Sequence, residues 1–200
     1  ERQDYSCAVY DPDGELLAQA AHIPVHLGAM PESVRAVKSL EPWTPGDIAI
    51  LNDPFLGGTH LPDLTMVSPV FTKSKRPKLL GFIASRAHQS DIGGMTPGSM
   101  PVARELIQEG LIIPPVRIYD AGKLVHSTFS IILRNVRTPD ERRGDLEAQV
   151  ACQRIGVERL AKLAQQIGYK DFALTSKELL NYGERISLAA IAKIPNGDYT

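Results

Sequence analysis

The segment Asn52-Asp53-Pro54-Phe55-Leu56-Gly57-Gly58-Thr59-His60-Leu61-Pro62-Asp63 and the segment Arg86-Ala87-His88-Gln89-Ser90-Asp91-Ile92-Gly93-Gly94 organise the rest of the chain. Each follows a short apolar run, Asp47–Leu51 and Leu79–Ser85. Such runs, bounded by breakers, read as buried strands. A strand that empties into a glycine-rich loop carrying His and Asp presents ligands from a rigid base. Both loops place an Asp three residues after a His: His60 with Asp63, and His88 with Asp91. Pro62 argues against a helix between the first two, so they are expected on a turn.

Imidazole and carboxylate are the donors of a catalytic divalent metal that keeps a position open for water. The expected ligands are His60, Asp63 and His88, with zinc, manganese or iron equally compatible. Asp91 is the expected general base, or the partner that orients a ligand histidine. If the strands before the two loops are neighbours, the side chains meet at one point. His22 and His26 are further candidates for substrate or metal, although Pro24 between them argues against a shared helical face. Arg86 is expected to pair with a carboxylate; Asn135 and Arg137, before a long helix, fit capping and ion pairing as well as they fit substrate binding.

The motif Asn-Asp-Pro-Phe-Leu-Gly-Gly-Thr-His-Leu-Pro-Asp, the motif Arg-Ala-His-Gln-Ser-Asp-Ile-Gly-Gly and the Pro97-Gly98-Ser99 that follows together resemble the hydantoinase B family. So do His22–Gly28, Gln108–Leu111, Asn135–Arg137 and Asp145–Gln149. The resemblance runs nearly end to end. It implies part of the B-type component of an ATP-dependent cyclic-amide hydrolase of the N-methylhydantoinase or 5-oxoprolinase type. It also implies an A-type ATP-binding partner, or a fused half, that activates the carbonyl of a small-molecule substrate. Two alternatives stay open: a component of an acetone or acetophenone carboxylase, and a non-catalytic scaffold with a structural metal. Cysteine-rich closed sites are usual for structural metals, and no Cys lies near these loops, which favours catalysis. Family members are longer and carry later glycine-rich segments, so the chain is expected to be a fragment with an exposed apolar surface.

Composition narrows the class. Apolar residues at 43% and charged residues at 22% fit a soluble globular protein. Lys+Arg 22 against Asp+Glu 23, with no basic block, argues against nucleic acid and anionic membranes. No apolar run approaches the ~20 residues of a membrane span. Cys7 and Cys152, in no metal-like spacing, are expected as free thiols of a reducing compartment, hence a cytoplasmic protein. There is no GxxxxGK[ST] loop and no GxGxxG, so ATP is expected on the partner.

The expected fold is α+β within one domain over 1–200. Residues 1–135 hold strands, in a mixed or antiparallel sheet, and the site loops; residues 136–200 hold helices. Tyr5–Tyr10 and Glu15–Ala20 form a hairpin around Asp11-Pro12-Asp13-Gly14. A helix opens at Pro31 and runs to Leu40. Thr65–Phe71 is a strand that Pro69 pushes to an edge or bulge. Leu146–Gln166 is a long amphipathic helix with Gly156 at a close crossing and Gly168 as its stop. A last helix covers Ser176–Ile191, capped by Thr175 or Ser176.

Overall fold

Alternation of apolar side chains builds the sheet. In the computed structural model, which describes residues 4–20, 23–98 and 101–197, seven strands form one antiparallel sheet. They are β1 (Tyr5–Tyr10), β2 (Leu16–Gln19), β3 (Ile48–Leu51), β4 (Asp63–Phe71), β5 (Leu79–His88), β6 (Val116–Asp120) and β7 (Lys123–Leu124). Their spatial order is β2-β1-β5-β4-β3-β6-β7. The long hairpin β4–β5 is the centre, flanked by β1 and β3. Four helices complete the fold: α1 (Pro24–Val37), α2 (His126–Arg134), α3 (Pro139–Ile167) and α4 (Tyr169–Ile191). This is the α+β architecture expected, strands first and the long helices last.

Both faces of the sheet are covered, which is why β3, β4 and β5 are almost wholly buried. On one face α1 contributes Met30, Val34 and Val37 to a core with Ala8, Tyr10, Ala49, Leu51, Val67, Phe82 and Ala84. On the other, α2 and α3 bring Phe129, Ile132, Leu133, Leu146 and Val150 against Ile48, Ile50, Leu64 and Met66. The rest of α3 packs Leu160, Ala161 and Ala164 on Val70, Leu80 and Ile83. Side chains alternate strictly along a strand, so odd residues of β4 face α1 and even ones face α3.

Three expectations change. The first helix starts at Pro24, seven residues before Pro31, which lies inside it. Proline in the first turn costs nothing, because that N–H has no helical partner and φ is already set. The last helix starts at Tyr169, directly after Gly168, without a Thr175 or Ser176 cap. Ser176 instead donates back to the Phe172 carbonyl, one turn earlier. Pro69 lies in a central strand, but β4 outruns β3 there: the β3 ladder ends at Val67, so the missing N–H falls on a locally open side. Gly156 does mark a close crossing; a Cβ there would stand 2.8 Å from Ile83 Cγ2.

Of α4, only Phe172 is buried, while Leu174, Leu179, Tyr182, Ile186, Leu188 and Ile191 are exposed. Among the described residues, no helix is long and apolar enough to cross a membrane.

Candidate metal centre

The site forms where the β4–β5 hairpin opens. Asp63 begins β4 and His88 ends β5, and antiparallel register sets them directly opposite each other. Their side chains meet, His88 Nδ1 to Asp63 Oδ1 at 2.8 Å. His60 precedes β4 on a turn closed by the Asp63 N–H donating to the His60 carbonyl. Its ring lies 5.4 Å from that of His88, centroid to centroid, and its Nδ1 lies 3.9 Å from Asp63 Oδ1. Ligand atoms of His60, Asp63 and His88 all fall within 4.8 Å of one another. Three atoms that close share a centre no more than about 2.8 Å from each, against the ~2.1 Å of a bond to a transition metal.

The route to this convergence differs from the expected one. The strands before the two loops, β3 and β5, are not neighbours, because β4 lies between them. Arg86, Ala87 and His88 belong to β5 rather than to a loop. The histidines meet because one precedes β4 and the other ends its hairpin partner.

His26 joins the group from α1. It is buried, with Nε2 3.6 Å from Asp63 Oδ2 and Nδ1 2.8 Å from Ser6 Oγ on β1. Burial pushes its imidazolium pKa down, and the nearby Asp63 carboxylate only partly offsets that. Burial would likewise raise the Asp63 carboxyl, but the His88 hydrogen bond and the surrounding histidines hold it below the ordinary carboxylate value. A buried carboxylate ringed by imidazoles is a donor set with a place for a cation. On the outer side of His88, Asp4 Oδ2 lies 4.0 Å from Nδ1. His22 lies outside the described residues.

Asp91 is not brought to this group. Its Oδ1 accepts from the Gly93 N–H and from Arg137 Nη1 at 2.8 Å, and its Oδ2 accepts from the Arg137 N–H. The chain turns away after β5, and Ile92 enters the core on the α3 side. Of the roles open to it, Arg137 takes ion pairing, with Asp91 as its partner. Asp91 ties the loop after β5 to the segment before α3.

Among the described residues Arg86 makes no direct carboxylate pair, contrary to expectation. Wholly buried, it donates Nε to Thr65 Oγ1 at 2.8 Å, Nη1 to Thr59 Oγ1, and Nη2 to Ser33 Oγ and the Gly57 carbonyl. Burial disfavours its charge and the nearby Asp63 favours it. The guanidinium therefore pins the His60 loop to α1 and to β4. The same loop is held from the other side by Asn52, whose Nδ2 donates to the Leu61 and Leu111 carbonyls while Oδ1 accepts from the Ile113 N–H. Gly57 and Gly58 allow this packing: Cβ atoms there would meet Glu32 O at 2.5 Å and Asn52 O at 2.0 Å.

A cavity of about 820 Å³ opens beside His88, between β1, β5 and α3, lined among others by Asp4, Cys7, Ser85, Gln149 and Cys152. Sequence reasoning missed Gln149 and Gln153. Two glutamines four apart within the apolar stripe of α3 are the signal that marks them: Gln149 donates to the Leu64 and Ser85 carbonyls, and Gln153 to the Met66 carbonyl and Ser85 Oγ.

The hydantoinase B/oxoprolinase family model matches residues 1–200. The chain belongs to this family. It is 34% identical over 208 residues to the B component of a putative D-/L-hydantoinase of Pseudomonas sp. strain NS671, covering 100% of this chain and 35% of that protein. It is 38% identical over 185 residues to 5-oxoprolinase 1 of Arabidopsis thaliana, covering 84% of this chain and 14% of that one. Its fold matches the crystal structure of an ATP-dependent caprolactamase from Pseudomonas jessenii, with a TM-score of 0.90 and 31% identity over 97% of this chain and 34% of that one. The chain thus spans about a third of the hydantoinase component and of the caprolactamase chain, and less of the plant protein.

Proposed function

We propose that this chain is part of the B component of an ATP-dependent cyclic-amide hydrolase of hydantoinase or 5-oxoprolinase type. Its centre is a divalent metal held by His60, Asp63 and His88. The observation that carries this is the meeting of two imidazoles and one buried carboxylate at the common end of β4 and β5. When bound, zinc, manganese or iron would polarise a substrate carbonyl and lower the pKa of a coordinated water. Asp63 supplies the negative charge, and His26, itself hydrogen-bonded to Ser6, holds Asp63 from behind. The His26 imidazole, neutral by burial, hands no extra positive charge to the site. The 820 Å³ cavity beside His88 is large enough for a small cyclic amide.

ATP chemistry is assigned to an A-type partner or fused half. Support comes from relatives named as the B component of a hydantoinase and as a 5-oxoprolinase, and from the neighbour described as an ATP-dependent caprolactamase. The absence of a GxxxxGK[ST] phosphate loop from this sequence points the same way.

The test is turnover of hydantoins, 5-oxoproline and caprolactam with an A-type partner and ATP, before and after chelation. Hydrolysis should need the partner, ATP and metal together, and should fall with His60→Ala. Full activity in the chelated protein, or in His60→Ala, would remove the metal centre from the mechanism. ATP hydrolysis by this chain alone would overturn the division of labour.

A further inference from the structure

Cys7 and Cys152 are 145 residues apart in sequence, yet their sulfurs stand 3.7 Å apart in hydrogen-bond contact. Cys7 is in β1, opposite Ser85 of β5, and Cys152 is in α3. Their approach is built into the packing. Gln149 and Gln153 flank Cys152 on α3, and both donate to Ser85. Those two amides fix the height and rotation of α3 over the sheet at the β5 position paired with Cys7. Both sulfur-bearing residues also line the cavity beside His88, so a small reagent has a route to them.

We propose that Cys7 and Cys152 form an oxidation site, a reversible disulfide closed by a hydroperoxide that ties β1 to α3 on the cavity wall. Bond formation brings the sulfurs from 3.7 Å to ~2.05 Å, a closure of under ~2 Å. The first step is attack of the Cys152 thiolate on the terminal peroxide oxygen. An S–O bond forms, the O–O bond breaks, and the leaving oxygen takes a proton. Cys7 then attacks the sulfenic sulfur. The S–S bond forms, the S–O bond breaks, and hydroxide leaves with the Cys7 proton as water. Two electrons pass from the two thiols to the peroxide. The hydrogen bond between the two sulfurs favours a thiolate at Cys152, with its pKa down to about 6 against the effect of burial, and Cys152 is taken as the attacking sulfur. The product sits on β1 and α3 about three strand residues from His88, roughly 10 Å along β5. It would therefore stiffen the cavity wall without touching the metal ligands.

The experiment is peroxide treatment of the dilute purified chain, followed by thiol counting in denaturant and peptide mapping without reductant. The expected result is loss of both thiols in a monomer, a Cys7–Cys152 cross-linked peptide, and full recovery with dithiothreitol. Cys7→Ser should instead accumulate a sulfenic acid at Cys152 that dimedone traps, and Cys152→Ser should react far more slowly at Cys7. Retention of both thiols in the wild type, over-oxidation of either sulfur without cross-linking, or disulfides only between molecules would each overturn the proposal. The wild-type measurement decides by itself if a serine variant fails to fold.

Discussion

Asp63 and His88 are cross-strand partners, and their side chains share a 2.8 Å hydrogen bond at the open end of the β4–β5 hairpin. The hairpin is the middle of the sheet, flanked by β1 and β3 and covered on both faces. Side chains at its end inherit that rigidity, whereas side chains on free loops would not. His60 is the exception, standing on the turn before β4 and partly exposed.

This difference separates the ligands experimentally. His60→Ala should abolish tight metal binding with a stability change within about 0.5 kcal/mol, as for an exposed side chain. Asp63→Asn should also lose the metal, because the amide is a poor ligand. His26→Ala, which removes the support behind Asp63, should weaken metal affinity by about 10–100-fold rather than abolish it. Metal content after purification and calorimetric titration with zinc and manganese measure all three. A His60→Ala protein that still binds with wild-type affinity would refute the ligand set.

Arg86 predicts the opposite balance, a large stability effect. Arg86→Met removes the donor to the Thr65, Thr59 and Ser33 hydroxyls and to the Gly57 carbonyl, and takes a nearby positive charge away from Asp63. The cost should be about 2–4 kcal/mol, as for stripping several buried hydroxyl and carbonyl acceptors of one charged donor. Arg86→Lys keeps the charge but cannot reproduce the fork, and should cost about 1–3 kcal/mol. Urea unfolding gives both values, and a loss below about 1 kcal/mol for Arg86→Met would contradict the buried network.

The meeting of the histidines with Asp63 is legible in the sequence because polar residues of metal-ligating type abut runs too apolar to be anything but buried strands. The hairpin β4–β5 is legible from the basic turn between its strands. Strand order is not: β1 sits beside β5 through pairings between distant parts of the chain, which no local pattern records. His26 is obscured because Pro24 reads as a breaker, whereas it is a first-turn residue. Asp91 misleads because its spacing from His88 repeats that of Asp63 from His60. The repeat is only in sequence. His60 and Asp63 span a tight turn into a strand, while after His88 the strand has ended and the chain leaves the site. The α3 glutamines are hidden because each donates to the backbone of strands far away in sequence.

Two glycines of α3 should respond with opposite signs to the same substitution. Gly144 has nothing within 4 Å of an added Cβ, so Gly144→Ala should stabilise by about 0.5–1 kcal/mol through helix propensity. At Gly156 the added carbon meets Ile83 Cγ2 at 2.8 Å, where α3 crosses β5. Gly156→Ala should therefore destabilise by about 1–3 kcal/mol through overpacking. Paired thermal melts read the signs, and stabilisation by both would mean that α3 does not lie this close to the sheet.

Asp47 predicts an acid limb to the stability curve that does not involve the candidate metal centre. The residue is buried just before β3 and accepts from Thr44 N–H and Oγ1–H, from the Ala121 N–H, and from Arg117 Nε. Burial raises its carboxyl, but those hydrogen bonds and the Arg117 charge outweigh it and hold the pKa below the ordinary 3.8. A depressed folded-state pKa means that the native chain resists protonation more than the unfolded chain does. The stabilisation is thus complete above the ordinary pKa and is lost as pH falls through the lower folded value. Asp47→Asn should cost about 1–3 kcal/mol at neutral pH, because the amide nitrogen cannot accept. The gap between wild type and variant should stay constant from neutrality down to about pH 5 and then close below pH ~4. Denaturant titrations at a series of pH values test this. A gap that persists unchanged at about pH 3, or that widens on acidification, would show that Asp47 is not held ionised by these partners.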